Sequence, residues 1–138
     1  MQEHAGQPGE AMVLVLSTAA PGLLGAGTAL DALAAGRDGV LTWMAFWAIA
    51  TGVALGTWCA TWACVDWAFA GQAERGIRGL EGISIATVVG LYGLVALLRL
   101  DSSAHSATAP AWALEVCAAT LLGMKAWLGN ELATWRPR

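Results

Sequence analysis

Charged side chains inside apolar runs are the residues of this chain that could do chemistry. In a membrane such groups are costly, and they either pair with one another or mark a proton or ion path. If successive runs form antiparallel helices, these charges fall into two layers. Asp31, Arg99 and Glu115 lie toward one end, and Asp66, Glu81, Lys125 and Glu131 lie toward the other.

Both layers mix acidic and basic groups, which favours structural ion pairs. We expect Asp31 to pair with Arg99, and Lys125 to pair with Asp66 or Glu81. A proton path would need a polar group near the midplane to connect the layers, and that region offers only serine and threonine hydroxyls. These hydroxyl groups alone would have to connect the two layers. A small transporter or proton channel that uses Asp31, Glu81, Glu115 and Lys125 remains the alternative to the structural interpretation.

Catalysis and metal binding find little support in the sequence. His4 lies in the leader and His105 in a loop, so we expect both to be solvated, on opposite sides of the membrane, and unable to ligate one haem. Cys59, Cys64 and Cys117 lack metal-site spacing, and no nucleophile–base pair or phosphate loop is present. The sequence predicts no catalytic residue, no metal and no enzymatic activity. Contact with a carotenoid, a quinone or lipid needs no ligating side chain and stays open.

The elements that position the charges are four apolar blocks, roughly 11–36, 39–70, 80–100 and 111–133. Of the 138 residues, 57% are hydrophobic and 12% are charged, about half the charged fraction of soluble domains. Each block reaches the roughly 20 residues that cross the hydrocarbon of a bilayer. The sequence predicts one domain, residues 1–138, that is an all-α integral membrane four-helix up-and-down bundle. The acidic leader lacks the positive charge of a signal peptide, so the first block is expected to stay as a helix.

Arginines in the short loops predict the orientation. One side carries Arg75, Arg78, Arg136 and Arg138, and the other carries Arg37 and Arg99. The positive-inside rule then places both termini in the cytoplasm. The net charge of −3 gives no indication of nucleic-acid binding.

Large aromatic residues and small residues occupy opposite faces of the second helix. Trp43, Trp47, Trp58 and Trp62 fall within about 100° of one another at 3.6 residues per turn. Gly52 and Gly56, the Gly-xxx-Gly of "GVALG", lie opposite. Small residues permit close helix contact in lipid, so we expect the glycines to face the bundle and the tryptophans to face outward. The tryptophans then contact lipid, a flat cofactor or, in our preferred interpretation, another membrane subunit.

The first helix repeats the small-residue pattern in "PGLLGAGTALDALAAG". Gly22 and Gly25 each precede an alanine by four residues, and we expect both to lie at helix contacts. A homo-oligomer held by "GVALG" is a further possibility that the same pattern leaves open.

The carboxyl end, "MKAWLGNELATWR", resembles the closing signature of the small four-helix bacterial membrane family called domain of unknown function 2231. "APGLLGAGTALDALAAG" and "ACVDW" are similar to the first helix and to the end of the second helix in that family. The resemblance implies the fold, structural roles for Asp31, Asp66, Trp127, Gly129 and Glu131, and a bacterial respiratory or photosynthetic inner membrane. Histidines common in the family are absent here, where the sequence reads Ser17–Pro21 and Leu80–Ile83, so no haem or metal role is carried over.

Together these features predict a non-enzymatic accessory subunit of a larger membrane complex. The alternatives are a redox, pigment-binding or quinone-binding membrane protein, and the transporter described above. A visible absorption band in the purified chain would favour the first alternative, and flux in liposomes would favour the second.

Overall fold

The structure is a computed structural model that describes residues 8–34, 39–69, 71–102, 105 and 107–134. All regular secondary structure in these ranges is helical. The four helices are α1 (Pro8–Ala34), α2 (Val40–Phe69), α3 (Gln72–Leu100) and α4 (Ala109–Thr134). Each helix packs on its neighbour in sequence, and α1 also contacts α4. The all-α four-helix prediction is therefore confirmed.

Three helices are long and apolar enough to cross a membrane. The qualifying segments are Val40–Phe69, Gly82–Leu100 and Ala109–Leu128. For α1, the membrane span stays a prediction. Helix α1 continues through Pro21, so the proline does not divide the first block.

Helix α3 begins earlier than the sequence analysis predicted, at Gln72 rather than at residue 80. The apolar run does start near residue 80, but the polar segment before it contains good helix formers and no proline. Gly71 takes an extended conformation as the N-cap, and its carbonyl accepts the Arg75 amide at 3.2 Å. The connection from α2 to α3 is therefore very short, which makes the two helices antiparallel neighbours.

The core lies between the helices and is built mainly from aliphatic side chains, with one tyrosine. Its buried members are Leu24, Ile49, Val88, Tyr92, Val95, Ala111 and Ala118. On α2 the buried positions from Thr42 to Gly56 are three or four residues apart, apart from the adjacent Ala45 and Phe46, as one face of a helix requires. The tryptophans of α2 lie off this face.

The glycines of "GVALG" are packed inside the bundle. A Cβ added at Gly52 would lie 2.8 Å from Leu24 Cδ2 of α1, and one at Gly56 would lie 2.6 Å from Val89 Cγ2 of α3. Both glycines are buried. Because neighbouring helices already occupy these positions, the motif is not a free surface for a second copy of the chain.

The expectation for Gly22 and Gly25 is wrong. Both are exposed, and a Cβ added at either one would meet nothing within 4 Å. Gly27 is the closely packed glycine of α1, because a Cβ there would lie 2.5 Å from Ile49 Cγ1. Small residues line more than one face of α1, so the small-xxx-small pattern alone does not say which face packs.

Candidate functional site

A buried cluster of three charged side chains joins three helices at one end of the bundle. Arg99 of α3 donates from Nη2 to Oδ2 of Asp31 on α1 and to Oε2 of Glu115 on α4, the latter at 2.9 Å. The side chains are 0%, 3% and 0% exposed for Arg99, Asp31 and Glu115. The structure thus contains the predicted Asp31–Arg99 pair and adds Glu115 to it.

Helix direction explains why these residues meet. Asp31 and Arg99 stand near the C-terminal ends of α1 and α3, while Glu115 stands in the second turn of α4. Antiparallel neighbours bring these three helix ends together. Arg99 lies in the last turn of α3, where a cation interacts favourably with the helix dipole.

A pair of hydroxyl groups lies next to the cluster, deeper in the bundle. The Thr28 and Tyr92 hydroxyls are 2.9 Å apart and join α1 to α3. Tyr92 is 0% exposed, and Thr28 also donates to the Leu24 carbonyl at 3.1 Å. Glu115 lies within reach of the Thr28 hydroxyl. The polar side chains of the cluster and the hydroxyl pair therefore form one buried region.

Some hydrogen-bonding capacity of the cluster is unused. Nε and Nη1 of Arg99 and Oε1 of Glu115 are buried and have no hydrogen-bond partner among the described residues. An unpartnered buried polar atom costs about 1–3 kcal/mol. Such atoms are uncommon in folded proteins and call for an explanation.

His105 covers the same end of the bundle. Its ring stacks on Phe46 of α2 with centroids 4.6 Å apart and planes at 13°, and its Nδ1 lies 3.2 Å from the Arg99 carbonyl oxygen. The backbone at His105 has φ 52°, in the left-handed region. The expectation that His105 is simply solvated is wrong. A loop histidine carries no sequence signal for such a contact, because the contact depends on where Phe46 lies.

The second predicted charge layer does not form the expected Lys125–Asp66 pair. Asp66 is exposed on α2 and Lys125 is half-buried on α4, and the two described side chains make no ion pair. The side chains of Glu81 and Glu131 lie outside the described residues, so the Lys125–Glu81 pair stays a prediction. The placements of Arg37 and His4 also lie outside them.

A cavity of about 360 Å³ opens in the half of the bundle away from the cluster. Its lining is mainly apolar and comes from all four helices, with Leu24, Gly56, Val88 and Leu122 among its walls. Lys125 is the one cationic side chain among the described residues that line it. Lys125 follows Glu115 by ten residues, about 15 Å along a helix, so the cavity and the cluster are separate features.

The tryptophans of α2 form an outward surface, which we call the tryptophan face. It comprises Trp43, Trp47, Trp58 and Trp62, whose exposed fractions are 57%, 51%, 63% and 51%. Trp47 makes edge-to-face contacts with Trp43 at 6.0 Å and with Phe46 at 5.6 Å. The face is therefore apolar and, at its Trp43 end, held in a fixed arrangement.

The described residues provide neither a metal-binding cluster nor a disulfide bond. They contain no group of three or more histidine, cysteine, aspartate or glutamate side chains that could hold a metal ion, and their three cysteines are free thiols. The chain matches no protein-family model, no curated protein and no solved structure.

Replacing Tyr92 with phenylalanine tests the hydroxyl pair. The change leaves the ring in the core and removes one buried hydrogen bond, so we expect a loss of about 1 kcal/mol in the free energy of unfolding. Denaturant titration in detergent, followed by circular dichroism, measures the loss. An unchanged unfolding midpoint would show that the Thr28–Tyr92 bond contributes nothing to stability.

Proposed function

We propose that this chain is an integral membrane protein whose four helices cross the bilayer, and that it acts as a non-enzymatic accessory subunit of a larger membrane complex. Three helices of sufficient length and apolarity support the membrane assignment. The observation that carries the subunit role is the tryptophan face, a row of large, half-exposed indoles on α2.

Lipid contact alone explains only part of this face. Tryptophan is enriched where a helix leaves the hydrocarbon, and Trp43 lies close enough to the start of α2 to fit that rule. Trp58 follows Val40 by 18 residues, about 27 Å along the helix, and precedes Phe69 by 11 residues, about 16 Å, so it lies deepest of the four tryptophans in the 30-residue span. Tryptophan is also among the residues most enriched at the centres of protein interfaces. A partner helix that packs on Trp47, Trp58 and Trp62 accounts for these deeper indoles.

The structure strengthens the argument for the orientation. Arg99 is buried in the ion cluster, so it adds no positive charge to a loop. Of the arginines on its side, only Arg37 then opposes Arg75, Arg78, Arg136 and Arg138. We propose a bacterial inner membrane location with both termini in the cytoplasm. The membrane type comes from the resemblance to the family of domain of unknown function 2231, which is itself a proposal.

Photo-cross-linking in the native membrane tests the partner surface. A photoreactive residue at position 47 or 58 should give one discrete adduct with a different membrane protein. Control positions matched in exposure are Val116 at 51% on α4 and Leu97 at 62% on α3, against 51% for Trp47 and 63% for Trp58. Equal adducts from all four positions, or adducts with lipid only, would contradict the proposal.

The double variant Trp47→Ala plus Trp58→Ala should release the partner without unfolding the bundle. Truncating an aromatic residue that is a hot spot of an interface costs about 2 kcal/mol or more, about 30-fold in affinity. Both indoles are half-exposed, so the core should lose little. Co-purification of the partner and the helical circular dichroism signal are the two readouts. Retained partner in a folded double variant would count against the tryptophan face as the interface.

A further inference from the structure

Two carboxylates of the buried cluster meet at one nitrogen atom. Oδ2 of Asp31 and Oε2 of Glu115 both accept from Nη2 of Arg99, so the two acidic groups are immediate neighbours. Two carboxylates that share a site do not both ionise readily, because the second negative charge is repelled by the first. Only one guanidinium lies between them.

The charges of the cluster do not sum to zero when all three groups are ionised. Two carboxylates and one guanidinium give a net charge of −1, and none of the three side chains is more than 3% exposed. A buried charge without a partner is strongly unfavourable, and a titratable group in this position takes up a proton instead.

The described groups around the cluster supply no further cation. Helix α2 contributes Thr42 and Phe46 at this end, and both are uncharged. His105 contacts the Arg99 carbonyl rather than a carboxylate. Lys125 lies about 15 Å further along α4, and Arg75 lies near the opposite end of α3. Arg37 and Asp38 lie outside the described residues.

Glu115 is the residue of the cluster that can be protonated. Its Oε1 is buried and has no hydrogen-bond partner among the described residues, and the hydroxyl group of Thr28, which is paired with that of Tyr92, lies nearby. A protonated carboxyl donates one hydrogen bond, and a hydroxyl oxygen can accept it. Both carboxylates accept from Nη2 of Arg99, but among the described residues of the cluster Oε1 of Glu115 is the one carboxylate oxygen that is buried without a partner.

We propose that this cluster is a proton-binding site, in which Glu115 carries one exchangeable proton while Asp31 and Arg99 form a neutral ion pair. Binding forms an O–H bond at Oε1 of Glu115, and the cluster then has no net charge. Release returns the carboxylate and leaves a net charge of −1. The site does not depend on a partner subunit, so its test is independent of the accessory role.

Infrared spectroscopy of the purified chain in detergent at neutral pH tests the proposal. A protonated carboxyl gives a carbonyl-stretch band that carboxylates lack, and that band shifts when H₂O is replaced by D₂O. We expect the band in the wild-type chain and its loss in Glu115→Gln. Absence of the band in the folded wild-type chain would overturn the proposal, and so would its persistence in Glu115→Gln.

Asp31→Asn separates a proton site from a merely structural cluster. This change removes one negative charge, so Glu115 should ionise against Arg99 and the band should disappear although Glu115 is present. Persistence of the band in Asp31→Asn would overturn the charge argument.

Two further variants keep the cluster charges and test the assignment independently. Thr28→Val should retain the band and shift it to higher frequency, because the carboxyl loses a hydrogen-bond acceptor. Asp66→Asn, at an exposed carboxylate, should leave the band unchanged. A band that is unaffected by Thr28→Val but lost in Asp66→Asn would place the proton outside the cluster and overturn the proposal.

Discussion

Replacing Arg99 with methionine should destabilise the bundle more than any other single change considered. The substitution leaves two acidic groups facing each other in an apolar interior without their shared cation. Removing one partner from a buried ion pair costs about 3–5 kcal/mol, a large share of the roughly 5–15 kcal/mol that holds a typical domain folded. We expect a much lower thermal midpoint in detergent, followed by circular dichroism, and poor accumulation of the variant in membranes.

Three controls make that result interpretable. Asp66→Asn alters an exposed charge and should change stability by no more than about 0.5 kcal/mol. The triple variant Arg99→Met, Asp31→Asn, Glu115→Gln carries no buried charge and should recover part of the loss. Arg99→Lys keeps the positive charge but replaces the planar guanidinium group with an ammonium group. Its thermal midpoint should therefore fall between those of the wild type and Arg99→Met. A wild-type midpoint for Arg99→Met would show that the cluster does not hold the helices together.

Changing Gly52 to alanine should also destabilise the bundle, although alanine is the better helix former. The added methyl group would lie 2.8 Å from Leu24 Cδ2 and 3.2 Å from the Leu24 backbone nitrogen. Leu24 is 2% exposed, so it has little room to move, and the backbone contact requires α1 and α2 to separate. Overpacking of this kind costs about 1–3 kcal/mol, measurable as a lower denaturation midpoint.

The same substitution at Gly25 should change the denaturation midpoint in the opposite direction. Nothing lies within 4 Å of an added Cβ there, and alanine is favoured over glycine inside a helix by about 0.5–1 kcal/mol. Gly25→Ala should therefore leave the midpoint unchanged or raise it. Trimming Leu24 to alanine in the Gly52→Ala background should relieve part of the overpacking. Equal effects of alanine at positions 52 and 25 would mean that α1 and α2 do not pack through Gly52.

The helices and the ion cluster follow from patterns that are local in sequence. Long apolar runs fix where α2 and α4 begin and end to within a few residues, and alternation of helix direction brings Asp31, Arg99 and Glu115 to one end. These properties need only helix geometry and the cost of charge in an apolar medium.

The predictions that were wrong, for Gly22, Gly25 and His105, depend on which helix faces pack against each other. Gly22 and Gly25 satisfy the small-xxx-small pattern and Gly27 does not, yet the position of Ile49 on α2 makes Gly27 the packed one. The position of the His105 ring likewise depends on Phe46, which lies on α2 and is far from His105 in sequence. Helix α3 extends beyond its apolar run because helix formation does not require apolar side chains. The pattern within one helix therefore does not determine which of its residues are packed, because this depends on the neighbouring helices.

The most direct test of the accessory-subunit role is native mass spectrometry of the chain, extracted from its own membrane in mild detergent. We predict an assembly far heavier than the 14.2 kDa chain, from which different subunits are released on activation. Loss of those subunits in the Trp47→Ala plus Trp58→Ala variant would locate the contact on the tryptophan face. A lone chain, or an oligomer of this chain only, would contradict the accessory role.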